Sequence, residues 1–290
     1  MSISPMSISK VGIVGSGIMG TGIAEVAAAS GHQVVVRSRS QPAADSVLTG
    51  VRRSLDRQIE RGNRTEAERD EILSRLSVTT HLSDLADCDL VIESVVEDLA
   101  VKLELFEDLH EACDEKAVLA TNTSTLPVVD LAMASGRPAK VCGIHFFNPA
   151  TVMGLVEVVR PITASEETIT TATEFARACG KEVVEVEDRA GFVVNALLFP
   201  YLNNAVRLLE RGVASKDGID AAMVGGCGFP MGPFALLDLV GLDTSVAILD
   251  TLYEEHREPQ YAAAPLLRRM VAAGHLGRKS ARGFYEYQRR

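Results

Sequence analysis

The sequence predicts a doubly wound α/β domain followed by an all-α domain, and three observations carry that prediction. Residues 11–36 read as strand, glycine turn, helix and second strand, with Gly15-Ser16-Gly17-Ile18-Met19-Gly20 at the turn. Strand-length apolar runs then alternate with amphipathic stretches to about residue 188, the pattern of a parallel sheet covered by helices. Beyond that point only the helical period continues.

The turn has GxGxxG spacing, in which each glycine has a separate task. Gly15 permits the tight turn, Gly17 lets the backbone approach a pyrophosphate, and Gly20 lets the helix press on the strand. Ile18 and Met19 open the helix, whose first N–H groups would meet the phosphates. The segment reads as a Rossmann-type mount for a dinucleotide, the other reading being a glycine turn that only packs a helix on a sheet. Units of this kind that bind NAD carry Asp or Glu at the end of the second strand, about 20 residues on, to accept the ribose 2′-hydroxyl. Here the residues are Arg37-Ser38-Arg39. With Ser38 in the acidic place nothing repels a 2′-phosphate, and Arg39 offers it a two-donor fork, so NADP is favoured. The other reading is NAD, with Ser38 on the ribose and both arginines solvated.

At 290 residues the chain is long enough for a nucleotide domain and a smaller second one. The expected division is a short disordered lead over 1–9, a dinucleotide-binding domain over 10–188, and a helical substrate and dimerisation domain over 189–290. A net charge of −10, with 29 basic against 39 acidic residues, argues against a nucleic-acid partner. No apolar run is long enough for a membrane span, and residues 1–9 lack the form of a signal peptide. The five cysteines are far apart with no CxxC, which points to neither a metal site nor a disulfide framework and suits a cytoplasmic location.

Taken in order, 43–62 reads as a helix with Arg52, Arg53, Arg57 and Arg61 on its polar side, either a solvated face or a basic rim for a phosphate-bearing substrate. Thr65 and Glu68 have capping-box spacing at the head of a helix over 65–75. Strands follow at 77–81, 88–94, 117–121, 140–147, 155–159 and 183–186, with helices at 101–113 and 166–179. A helical stretch from 191 to 210 contains Pro200, expected to kink it, and further helices are expected at 215–224, 233–252 and 263–273. The apolar content of these last helices suggests that a second copy of the chain covers part of them.

Oxidising an alcohol beside a nicotinamide also requires a base for its hydroxyl proton. His145 lies on an apolar strand next to Phe146-Phe147, and Glu157 is an acid in another apolar strand. A buried carboxylate is costly unless paired, so a His145–Glu157 pair accounts for both, as a catalytic dyad or as a structural ion pair. Ser124, at a strand end, either bonds a substrate oxygen or caps the next helix. Asn195, early in an apolar helix, needs a partner, either a substrate carbonyl or a neighbouring side chain.

From about residue 10 to 287 the chain resembles the short-chain L-3-hydroxyacyl-CoA dehydrogenases, above all the bacterial 3-hydroxybutyryl-CoA dehydrogenases. The resemblance rests on the turn 15–20, Asn122-Thr123-Ser124, His145-Phe146-Phe147-Asn148-Pro149, Leu155-Val156-Glu157, Gly191-Phe192-Val193-Val194-Asn195, Pro230-Met231-Gly232-Pro233 and Gly277-Arg278-Lys279-Ser280. It implies that His145 is the general base in oxidation and the acid in reduction, held by Glu157, with Ser124 and Asn195 on the substrate's 3-oxygen and thioester. It places Asn148 in the same pocket, counts Asn122 and Asn148 among the cofactor-binding residues, and puts Glu97 and Lys102 on the nicotinamide side of the cofactor and Ser54 and Arg61 at the CoA moiety, Arg61 replacing a lysine. It implies a homodimer. Two positions depart from the family. Ser38 stands where NAD-using members have Asp, which puts NAD in doubt and suits the reductive direction, from acetoacetyl-CoA to 3-hydroxybutyryl-CoA. Ala281 stands where relatives tend to have Gly, and a small backbone adjustment is expected. The alternatives keep the chemistry on a carrier-protein-bound acyl group or a free hydroxy acid, or make the chain a non-catalytic dinucleotide-binding regulator.

Overall fold

The computed structural model describes residues 6–288, and the chain divides into two units, 1–188 and 189–290. In the first unit β1 (Lys10–Val14), α1 (Ile18–Ala29) and β2 (Gln33–Arg37) are followed by α2 (Gln41–Glu60), α3 (Glu66–Ser74) and β3 (Leu76–Thr79). Next come β4 (Leu90–Glu93), α4 (Leu99–Ala112), β5 (Val118–Thr121), α5 (Val128–Ala134), β6 (Val141–Phe146), β7 (Leu155–Arg160), α6 (Glu166–Ala178) and β8 (Glu182–Glu187). The strands form one sheet in the order β3-β2-β1-β4-β5-β6-β7-β8. The chain runs outward from β1 to β3 and returns to β4 on the other side of β1. That reversal makes the crevice at the carboxyl ends of β1 and β4 the natural ligand position.

The sheet departs from the expected parallel arrangement at one place. β7 runs antiparallel to β6, because residues 147–154 supply no helix to carry the chain back across the sheet. Parallel pairing resumes between β7 and β8. Valines, isoleucines and alanines of the strands and of α1 and α6 form one buried core. The described end of the expected disordered lead belongs to that core: Met6 and Ile8 rest against it, and Asp89 accepts the N–H groups of Ser9 and Lys10 at 2.7 and 3.0 Å. Residues 1–5 of the lead lie outside the described residues.

Local signals fixed several helix ends. The Thr65–Glu68 capping box is formed in both directions. α4 begins two residues before the expected 101, since Asp98 caps it by accepting the Val101 N–H. α5 is capped from far away: both Asp188 oxygens accept N–H groups, from Val128 at 3.0 Å and Val129 at 2.7 Å.

The second unit holds α7 (Val194–Glu210), α8 (Lys216–Cys227), α9 (Pro233–Val240), α10 (Leu242–His256) and α11 (Pro265–Ala272) around its own apolar core. α7 starts at 194 because Gly191 and Phe192 have left-handed backbones, φ 74° and 47°, and it runs through Pro200 as a continuous helix. The helix expected over 233–252 is two helices, broken at Gly241 with φ 104°. Ala281 is left-handed at φ 59°, a conformation that glycine adopts without cost. Asp238 anchors the tail, accepting from the Phe284 and Tyr285 N–H groups and the Tyr287 hydroxyl at 2.9, 2.8 and 3.0 Å.

Candidate active site

The carboxyl ends of the parallel strands supply the site. After β1, Gly15 takes φ +121°, and a Cβ there would lie 2.3 Å from the Ser94 carbonyl oxygen. At Gly20 a Cβ would lie 2.1 Å from the Gly15 carbonyl oxygen, so α1 begins hard against the loop. Gly17 is different: a Cβ would meet nothing within 4 Å. It is also the N-cap of α1 and supplies no side-chain cap, so the first N–H groups of the helix address open space. A pyrophosphate fits that combination of room and donors. Ile18 is exposed beside it and Met19 rests against the core.

At the end of β2, Ser38 is 2% exposed, with its N–H on the Thr79 carbonyl and its hydroxyl without a hydrogen-bond partner. Such an orphaned buried hydroxyl is uncommon, and a cofactor-facing position accounts for it. Arg39 is exposed, and Arg37 turns its Nε to the Thr80 carbonyl.

After β4 and β5 lies a group of charged and hydroxyl side chains that sequence reading found only in part. Glu93 closes β4, fully buried, and accepts from Lys102 Nζ at 2.6 Å, Thr121 Oγ1 at 2.7 Å and the Val95 N–H at 2.7 Å. Lys102, 1% exposed, also reaches Glu97 at 3.3 Å. Glu97 in turn accepts from Thr123 Oγ1 at 2.5 Å and the Ser124 N–H at 2.9 Å. Lys102 thus works between two carboxylates instead of lining a surface. Glu93 was missed although the signal was present, an acid in an apolar strand, the same oddity that marks Glu157. Ser124 does not cap α5, whose N-cap is Pro127 and whose first N–H groups go to Asp188.

On the next strand, His145 Nδ1 lies 2.8 Å from Glu157 Oε2, both residues buried, with the Phe147 ring 4.5 Å from the imidazole between centroids. The pair forms because β6 and β7 place the two residues directly opposite in register. Asn122 ties this strand to the Ser124 loop by accepting the Phe146 N–H at 2.9 Å. Asn148 is exposed just beyond. His145, Glu157, Asn122, Ser124 and Glu97 therefore lie on or just beyond adjacent strands of one unit, with Lys102 reaching Glu97 from α4.

Ser54 and Arg61 lie on α2 and at its C-cap. Ser54 is half-buried beside Gln58, whose amide donates to the Ser54 hydroxyl at 3.5 Å and to the buried carboxyl of Glu25 at 2.7 Å. Burial pushes that carboxyl up, and hydrogen bonding only partly offsets it. Arg61 is exposed, as are Arg52, Arg53 and Arg57. Asn195 belongs to the second unit, as the second residue of α7. The turn before it is held by Glu255, which accepts the Ala190 N–H at 2.9 Å. Among the described residues no cluster of three or more His, Cys, Asp or Glu side chains is arranged to hold a metal ion.

Residues 10–189 match the NAD-binding domain of 3-hydroxyacyl-CoA dehydrogenase, and residues 191–287 match its C-terminal domain. A 3-hydroxybutyryl-CoA dehydrogenase of Mycobacterium tuberculosis is 49% identical over 266 residues, spanning 91% of this chain and 93% of that protein. One from Clostridioides difficile is 45% identical over 262 residues, 90% and 93% of the two chains. The crystal structure of (S)-3-hydroxybutyryl-CoA dehydrogenase from Ralstonia eutropha superposes with a TM-score of 0.95 at 40% identity, covering 98% of this chain and all of that one. With both halves matched in order and relatives this similar along nearly the whole length, the chain belongs to the 3-hydroxyacyl-CoA dehydrogenase family.

Proposed function

We propose that the chain interconverts short (S)-3-hydroxyacyl-CoA and 3-ketoacyl-CoA, with 3-hydroxybutyryl-CoA and acetoacetyl-CoA as the pair and NADP(H) as the cofactor. The observation that carries this reading is the buried His145–Glu157 contact at the end of the sheet that also bears the glycine loop. Bound nicotinamide dinucleotide supplies the hydride acceptor in oxidation and the donor in reduction.

The chain's own residues handle the proton. In oxidation His145 Nε2 takes the proton of the 3-hydroxyl, and in reduction it returns one to the carbonyl oxygen. Glu157, on the Nδ1 side, fixes the ring plane and sets its charge against the imidazolium formed. Ser124 and Asn195 donate hydrogen bonds to the substrate's 3-oxygen and thioester, polarising the carbonyl that is reduced. Asn148 borders the same pocket, Asn122 and Asn148 help to bind the cofactor, and Glu97, braced by Lys102, lies on the nicotinamide side.

The cofactor preference rests on Ser38 and Arg39. No carboxylate stands at the end of β2, and the exposed Arg39, next to Ser38, offers a guanidinium to a 2′-phosphate. Arg61, with Arg52 and Arg53, gives the phosphates of the CoA arm a basic rim, and Ser54 stands on the same helix. Exposed apolar residues of the second unit, among them Leu197 and Val213, support a homodimer. The free cysteines support a cytoplasmic location, and no described helix is long and apolar enough to cross a membrane.

The test is acetoacetyl-CoA reduction with NADPH and with NADH, compared as kcat/KM on one preparation. A preference for NADPH of about tenfold or more is expected, as one charge-assisted contact gives. A preference for NADH overturns the cofactor assignment and leaves the dehydrogenase intact. Turnover of a free hydroxy acid or a carrier-protein thioester, without turnover of the CoA ester, overturns the substrate.

A further inference from the structure

We infer that Glu93 is a positioning residue of the reaction: by holding Lys102 it fixes Glu97, and through Glu97 the loop that carries Ser124. The inference rests on the reading of Ser124 given above.

Glu93 and Lys102 are opposite charges withdrawn from water at the end of a sheet, 2.6 Å apart. Such a pair is weak as a source of stability, since well-packed apolar side chains of the same volume serve as well. Its other bonds show what it orders. Lys102 shares its ammonium with Glu97, whose side chain is 41% exposed and would repel Glu93 if the cation between them were lost. Glu97 uses one oxygen on Lys102 and the other on the Thr123 hydroxyl and the Ser124 N–H. A second route leads the same way. Thr121 Oγ1 donates to Glu93 and accepts the Thr123 N–H at 3.1 Å, while Thr123 Oγ1 accepts the N–H groups of Thr125 and Leu126 at 3.3 and 3.0 Å.

Residues 122–126 have no regular structure of their own and are braced by these hydroxyl and carboxylate bonds. Both routes converge on Glu93. Its role is therefore to hold the Ser124 hydroxyl in one place relative to His145, whose strand is tied to the same loop through Asn122. A side chain displaced by about 1 Å at a reacting centre costs far more rate than stability.

The test is a double-mutant cycle on acetoacetyl-CoA reduction, with kcat and KM measured for the wild type, Glu93→Gln, Ser124→Ala and the double variant. Glu93→Gln is expected to lower kcat about tenfold, and to lower it less than about twofold once Ser124 is alanine, as coupled residues in one network do. An equal loss in both backgrounds makes Glu93 a structural residue only and overturns the inference. Full kcat in Ser124→Ala overturns the reading of Ser124 itself, a separate failure. If Glu93→Gln does not fold, Glu93→Leu with Lys102→Met removes both charges together and replaces it in the cycle. That pair is expected to fold and to show the same Ser124-dependent loss, and normal turnover by it overturns the inference.

Discussion

His145 and Glu157 face each other across the antiparallel β6–β7 pairing, Nδ1 2.8 Å from the carboxylate, so the register of two strands sets the orientation of the imidazole. A slip of one residue would send the two side chains to opposite faces of the sheet.

Replacing His145 by Gln should lower kcat by roughly 10²–10⁴-fold, the usual contribution of a general acid–base. Glu157→Gln should lower kcat as well, because the amide can bond the ring but cannot balance its charge. Steady-state reduction of acetoacetyl-CoA checks both. Turnover close to wild type in His145→Gln would remove His145 from the acid–base role, and absence of turnover in the wild type itself would favour a non-catalytic dinucleotide-binding protein.

Ser38→Asp should transfer preference from NADPH to NADH. The new carboxylate repels a 2′-phosphate and accepts from a ribose hydroxyl, so the ratio of the two efficiencies should move by about 10- to 100-fold. Arg39→Ala should weaken NADPH alone. Equal effects on both nucleotides would remove Arg39 from 2′-phosphate recognition.

Glu25 gives a pH prediction. Burial raises its folded pKa above that of the unfolded chain, so the folded state disfavours the charged carboxylate. Its contribution is then fully present below the ordinary carboxylate range and is lost as pH rises through the raised folded value. Glu25→Gln should match the wild type in acid and melt higher near pH 8, by about 2–4 °C for an effect of ~1 kcal/mol. Melting curves at several pH values test this, and a difference that shrinks with rising pH contradicts it.

Asp238→Ala should destabilise the second unit. Removing the carboxylate strands the Phe284 and Tyr285 N–H groups and the Tyr287 hydroxyl, at a cost of roughly 3 kcal/mol or more. Limited proteolysis should then cut first in the tail beyond residue 276. A tail as resistant as that of the wild type would show that other contacts hold it.

Much of this was legible in the chain because it depends on neighbours in sequence. The glycine turn, the Thr65–Glu68 box and the periodic helices are local, and the structure has them where spacing put them. The acids in apolar strands announced buried partners. At Glu157 that signal points to His145, which the structure sets against it, and at Glu93 it marks the buried pair with Lys102, a partner on a helix that no strand pattern indicates. The direction of β7 and the break at Gly241 were not legible, since a short apolar run does not state which way it pairs, and helical periodicity continues across a single glycine.

The sequence by itself determined the order of elements, the change from α/β to all-α near residue 188, the dinucleotide loop and the pairing of His145 with Glu157. Tertiary structure decided which polar groups meet. Glu93 reaches Thr121 across 28 positions, Glu97 reaches Ser124 across 27, and Asp188 caps α5 from 60 residues downstream. Those distances close only when the strands line up in their order in the sheet, because a buried charge takes whichever partner the fold carries to it.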